Sequence, residues 1–156
     1  MATKIYAGIG ARETPPDVCK KMSQLAYDLR QLGYFLYSGG AIGADQAFER
    51  GASNVKMSWR PEHVTAEALE LARKFHPNWN RCSPQARKLL ARNGFQILGK
   101  ELDTPVDFVI CYTLDGKDSG GTGQALRIAR HHGIPVFNLK NTPNLTIPQI
   151  MEQINV

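Results

Sequence analysis

The sequence predicts an α/β fold: a single doubly wound domain over residues 1–156, with a mainly parallel sheet and helices on both faces. Short apolar runs alternate with longer stretches of helical periodicity, which is the order of crossover units on a parallel sheet. Glycine-rich turns follow three of those runs, at the points where a buried strand would give way to the next helix. The length of 156 residues suits one compact domain that buries most of its unfolded surface.

The first strand is KIYAGI, residues 4–9. Val18, Met22, Leu25, Ala26, Leu29 and Leu32 then recur at helical spacing, after Pro15 and Pro16 and before Gly33, so a helix starts and stops where those residues favour it. YFLYS (34–38) is the second strand, followed by a short helix from Ala44 to Gly51 and a third strand, VKMSW (55–59). TAEALELARKF (65–75) reads as a helix capped by Thr65 and filled with good helix formers. HPNWNRCSP (76–84) is polar and turn-rich, a surface loop with two readings for Trp79 and Arg81: cover for a helix end, or a lid that stacks on a base and clasps a phosphate. Ser83 and Pro84 supply a cap and a preset first-turn dihedral for a helix with Leu89, Leu90, Asn93 and Ile97 along one side. DFVICYT (107–113), a helix over 121–133, PVFNL (135–139) and a helix over 146–154 complete the chain.

Composition narrows the function classes. A net charge of +5 favours anionic partners, from nucleic acid to free nucleotides. No apolar run is long enough to cross a bilayer, and the start, MATKIYAGIGAR, enters a strand pattern directly instead of a cleavable leader; the expected setting is the cytoplasm, with no membrane partner. Cys19, Cys82 and Cys111 are widely spaced and the four histidines lack ligand spacing, so neither a disulfide framework nor a metal site is expected. No cofactor is expected either.

The chemistry concentrates in GIGAR (8–12), SGGAIGAD (38–45) and DGKDSGGTGQ (115–124). The carboxyl ends of parallel strands share one edge of the sheet, so these three turns are expected to face one cleft. Glycine lets an anion approach backbone N–H groups, and the helix that follows turns its positive end to the same place. A Walker A loop is excluded because no GK followed by Ser or Thr occurs, and a dinucleotide fingerprint fails because Gly8 and Gly10 lead to Glu13 and Gly121 and Gly123 lead to Leu126. Arg12 is either a phosphate clamp or a surface arginine paired with Glu13. Asp45 is either a helix-terminal cap or a ligand contact.

GIGAR, SGGAIGAD, the ARN at 91–93 and SGGTGQALRIARHHGIPVFNL (119–139) resemble, in that order and over nearly the whole chain, the SLOG superfamily of Rossmann-like proteins, in particular its YspA-related and phage DprA-like branch. The resemblance implies a nucleotide or nucleotide derivative bound across the turns, in a homodimer or higher oligomer. Its implied ligand contacts are Gly8, Gly10 and Arg12; Ser38, Gly39, Gly40, Gly43 and Asp45; Arg92 and Asn93; and Gly120, Gly121, Thr122 and Gly123. LOG-type members release a base from a nucleotide using acidic residues after a glycine segment, where this chain has Leu126 and Arg127. Without those carboxylates, the cationic sugar of N-glycosidic cleavage would have to rely on Asp45, Glu49 or Asp118, and Asp118 is otherwise an ordinary turn residue. The leading expectation is therefore a protein that binds a small phosphorylated nucleotide, ADP-ribose-like or cyclic, as a sensor or sequestering protein. The alternatives are a nucleotide N-glycosidase acting through Asp45 or Asp118, and a DprA-like binder of single-stranded DNA with Trp59, Trp79 and Tyr112 as stacking surfaces.

Overall fold

The structure is a computed structural model that describes residues 3–58 and 61–154. Five strands, β1 (Ile5–Gly8), β2 (Phe35–Ser38), β3 (Val55–Ser58), β4 (Phe108–Cys111) and β5 (Val136–Asn138), form one sheet in the order β3-β2-β1-β4-β5. Every pairing is parallel, with Tyr6 between Leu36 and Phe108 at its centre. The helices are α1 (Pro16–Gln31), α2 (Ala44–Ala52), α3 (Ala66–Phe75), α4 (Pro84–Leu98), α5 (Gly120–His131) and α6 (Ile147–Ile154).

Alternation along the strands divides the core between the two faces of the sheet. Tyr6, Leu36, Phe108 and Ile110 point to one face, where Met22, Leu25 and Leu29 of α1, Phe48 of α2 and Ile150 of α6 pack against them. Ile5, Ala7, Val109 and Cys111 point to the other, under Ile97 and Leu98 of α4 and Leu126 and Ile128 of α5. Helix α3 lies outboard, closing a small cluster of Ala68, Ala72, Ala91 and Phe95. This is the doubly wound arrangement expected from the alternating pattern.

The expected helices form within a residue or two of their sequence boundaries, and Thr65 and Ser83 cap α3 and α4 by accepting from the N–H groups of Ala68 and Ala86. The fourth strand is shorter than 107–113. Asp107 turns out to accept from Thr3 and Lys4, and Tyr112 and Thr113 already belong to the following turn, with Ala11 N–H donating to the Tyr112 carbonyl. In the segment 76–84 the structure gives Trp79 the covering role: the segment contains a 3₁₀ turn, Trp79–Arg81, whose indole packs on the α3–α4 cluster under the Arg87 guanidinium, 5.0 Å from the ring centroid. Tyr112 is likewise a core residue, 5% exposed, and offers no stacking surface; Trp59 lies outside the described residues. Among the described residues no helix is long and apolar enough to cross a membrane.

Candidate functional site

The strand order places the crevice. From β1 the chain moves outward to β2 and β3, then returns across the sheet to β4 and β5, so the turns after β1 and β4 diverge and leave a gap at the carboxyl edge between them. Helix α4, on the return path, flanks that gap. The result is a cleft of about 360 Å³ lined by Ile9–Glu13 of the first turn, Ala41 and Asp45 of the second, Thr113, Leu114 and Ser119–Thr122 of the third, and Leu89, Leu90, Arg92, Asn93 and Gln96 of α4.

The charged side chains in this lining balance, Arg12 and Arg92 against Glu13 and Asp45, so its preference is set by placement and not by count. At one end stands the N-terminus of α5. Ser119 makes no side-chain cap there, and the first-turn N–H groups of Gly120, Gly121 and Thr122 have no carbonyl behind them within the helix. That is the electropositive end of a three-turn helix, open to the cleft. The preceding loop is held in shape internally: Asp115 accepts from Lys117 N–H and Ser119 Oγ, Thr113 Oγ1 donates to the Lys117 carbonyl, and Asn138 Nδ2 donates to Thr113 Oγ1. Asn93 Nδ2 reaches from α4 to the Gly121 carbonyl at 3.1 Å, fixing the helix end relative to α4. Arg12 is exposed, and no carboxylate among the described residues pairs with it, Glu13 included.

Across the cleft lies a cluster with different chemistry. Asp45 is 4% exposed, and its Oδ2 accepts from the N–H groups of Gly39 (3.2 Å) and Ala41 (3.4 Å), so the carboxylate holds the second turn from inside instead of capping its own helix. Burial pushes its carboxyl up to about 6, against the opposing pull of Arg92 and of the two backbone donors. Arg92 donates through one terminal nitrogen to the Gly39 carbonyl at 3.0 Å. Burial, with Arg12 adding repulsion, holds this guanidinium below the usual arginine range, while Asp45 works the other way. Arg92 Nε and Gln96 Nε2 are both buried donors without a partner, an arrangement that costs roughly 1–3 kcal/mol for each such group. Gly39 lets these groups converge: a Cβ there would lie 2.7 Å from Asp45 Oδ2, 3.0 Å from Gln96 Nε2 and 3.2 Å from Arg92 Cζ.

Of the residues expected at the site, Gly10, Arg12, Asp45, Arg92, Asn93, Gly120, Gly121 and Thr122 line the cleft. The others lie outside that lining. Gly8 lies under the Phe48 ring, Ser38 accepts from Gly40 N–H, and Gly123 presses on the backbone of Asp118. Gly43, at φ +90°, brings the second turn against the Ala11 and Arg12 carbonyls of the first. Asp118 is outside the lining, its carboxylate taken by Arg130 at 2.5 and 3.0 Å. Leu126 is core, and Arg127 donates to the Phe75 carbonyl and to Gln124, joining α5 to α3. Gln96 was invisible in sequence, where a glutamine between Phe95 and Ile97 looks like any helix position; the available signal was its three-residue spacing from Asn93 and four-residue spacing from Arg92 on one helix face.

No family model and no curated protein matches the chain. Among solved structures, DNA processing protein A from Helicobacter pylori, described for its single-stranded DNA binding mode, is similar to it with a TM-score of 0.61 and 21% sequence identity, over 97% of this chain and 78% of that one. Together with the sheet order, that likeness gives the chain an α/β, Rossmann-like fold of the kind seen in DNA processing protein A.

Proposed function

We propose that this chain binds single-stranded DNA, with one phosphate of the strand seated at the N-terminus of α5 and clasped by Arg12. The observation that carries the reading is the uncapped, glycine-rich start of α5 opening into a cleft beside an unpaired arginine. Its placement on a fold shared with a protein described as binding single-stranded DNA favours a strand over other anions. A net charge of +5 supports approach to a polyanion.

A second reading, a free phosphorylated nucleotide of the ADP-ribose or cyclic kind, is favoured by one feature: the three turns enclose a single cleft of about 360 Å³, within the range of small-molecule sites. Both readings use the same phosphate end. The homodimer and the cytoplasmic setting belong to the proposal as well, the latter resting on three free cysteines.

The test titrates purified protein with a thymidine oligonucleotide, AMP and ADP-ribose at several salt concentrations. Strand binding gives submicromolar affinity for the oligonucleotide that falls steeply with salt, by about 0.7 log units per log unit of salt for each phosphate engaged. Tight binding of AMP or ADP-ribose with none of the oligonucleotide selects the second reading, and no binding to any probe sinks both. Arg12→Ala is expected to weaken the preferred probe about tenfold, the worth of one charge-assisted contact, without altering the fold. Chromatography of the same incubations checks for free base, which would instead indicate N-glycosidic hydrolysis.

A further inference from the structure

We propose that Asp45, Arg92 and Gln96 form a subsite for a sugar hydroxyl of the bound ligand, opposite the phosphate end of the cleft. The inference rests on the phosphate reading above and specifies what else the ligand must carry.

The hydrogen-bonding inventory leads to this group. Asp45 Oδ2 is engaged by two backbone donors, whereas Oδ1 accepts from no donor among the described residues. Arg92 uses one terminal nitrogen on the Gly39 carbonyl and leaves Nε unpartnered; Gln96, 1% exposed, leaves Nε2 unpartnered. The cluster therefore sets a carboxylate acceptor beside unpartnered donors of Arg92 and Gln96; Asp45 Oδ2, Gln96 Nε2 and Arg92 Cζ all lie within 3.2 Å of where a Gly39 Cβ would stand, and all three side chains line the cleft. A hydroxyl has the complementary inventory on a single atom, one O–H donor and two acceptor lone pairs. A phosphate oxygen would meet the Asp45 carboxylate unfavourably, and an apolar group would leave both donors unpaired.

A sugar hydroxyl in a nucleotide ligand has two sources. It is a 2′- or 3′-hydroxyl of a free ribonucleotide, or the 3′-hydroxyl at the end of a DNA strand; the second would make the chain a reader of strand ends. The alternative group in the same ligand, a base edge, spreads its donors and acceptors over several atoms and fits a convergent cluster less well.

The experiment compares matched probes by calorimetry. One pair is AMP and 2′,3′-dideoxy-AMP; the other is a thymidine oligonucleotide ending in a 3′-hydroxyl and the same oligonucleotide ending in a dideoxynucleotide. The expected result is a preference of about tenfold or more for the hydroxylated member of one pair, which also identifies the source. In Gln96→Leu and in Arg92→Lys, which keeps the charge and removes Nε–H, that preference falls towards unity while binding through the phosphate end persists. Equal affinity within both pairs in the wild-type protein overturns the subsite and leaves phosphate binding intact; binding of none of the four overturns both. The wild-type comparison stands even if a variant fails to fold.

Discussion

Gly43 is the position at which the site and the fold depend on the same missing side chain. In Gly43→Ala a methyl group must be accommodated at φ +90° and ψ −120°, a backbone region that L-residues almost never enter, at a cost of about 1–3 kcal/mol. The same Cβ would lie 2.5 Å from the Arg12 carbonyl oxygen and 2.9 Å from that of Ala11. Both obstacles are backbone and cannot rotate away, so overpacking adds roughly 1–3 kcal/mol. The sum, about 2–6 kcal/mol, is a large part of an ordinary domain's stability. For a chain of this size it corresponds to a fall in Tm of roughly 5–20 °C by differential scanning calorimetry. Gly133→Ala is the control: φ is +68° but nothing lies within 4 Å of the added Cβ, so only the dihedral cost remains, about 1–2 kcal/mol. If the two variants melt at the same temperature, the contact between the first two turns contributes nothing and the reasoning from close approach is wrong. Because the displaced segment carries Arg12, Gly43→Ala is also expected to weaken ligand binding where Gly133→Ala does not.

At Gly121 stability and binding should separate. A Cβ there meets nothing within 4 Å, so Gly121→Ala should leave Tm unchanged or raise it slightly, yet lower phosphate affinity by placing a methyl group at the mouth of the α5 N-terminus; unaltered affinity in titration would move the phosphate elsewhere. Asp45 titrates near 6 in the folded protein against an ordinary value of 3.8, so between about pH 4 and pH 6 the folded state holds more protons than the unfolded state. Its contribution to stability is therefore greatest below about pH 4 and declines as pH rises through 6. Asp45→Asn removes this term, so stability of wild type relative to Asp45→Asn should fall across that window in urea titrations, and parallel pH curves would show that the carboxyl is not buried as described.

Much of the architecture was legible because it is written in local terms. Continuous apolar runs in IYAG and FVIC, helical spacing from Val18 to Leu29, and Thr65 and Ser83 as caps each act over a few residues, and these elements formed where the pattern placed them. The glycine turns were recognisable for the same reason. What several turn residues do was not legible: Ser38, Gly43 and Gly123 shape the turns from behind, and Asp118 spends its carboxylate on Arg130, twelve positions away.

By itself the sequence determined the alternation of strands and helices and the glycine stretches that permit tight approach, because hydrophobic period and backbone freedom are properties of neighbouring residues. Only the tertiary structure decided the strand order that opens a cleft between β1 and β4, and the convergence of Arg92 on the Gly39 carbonyl 53 positions earlier. It also decided that Gln96 would be buried with a donor unpaired. The physical reason is that hydrogen-bond satisfaction in a packed interior is settled by whichever distant groups the fold brings together, and no local pattern records which ones those will be.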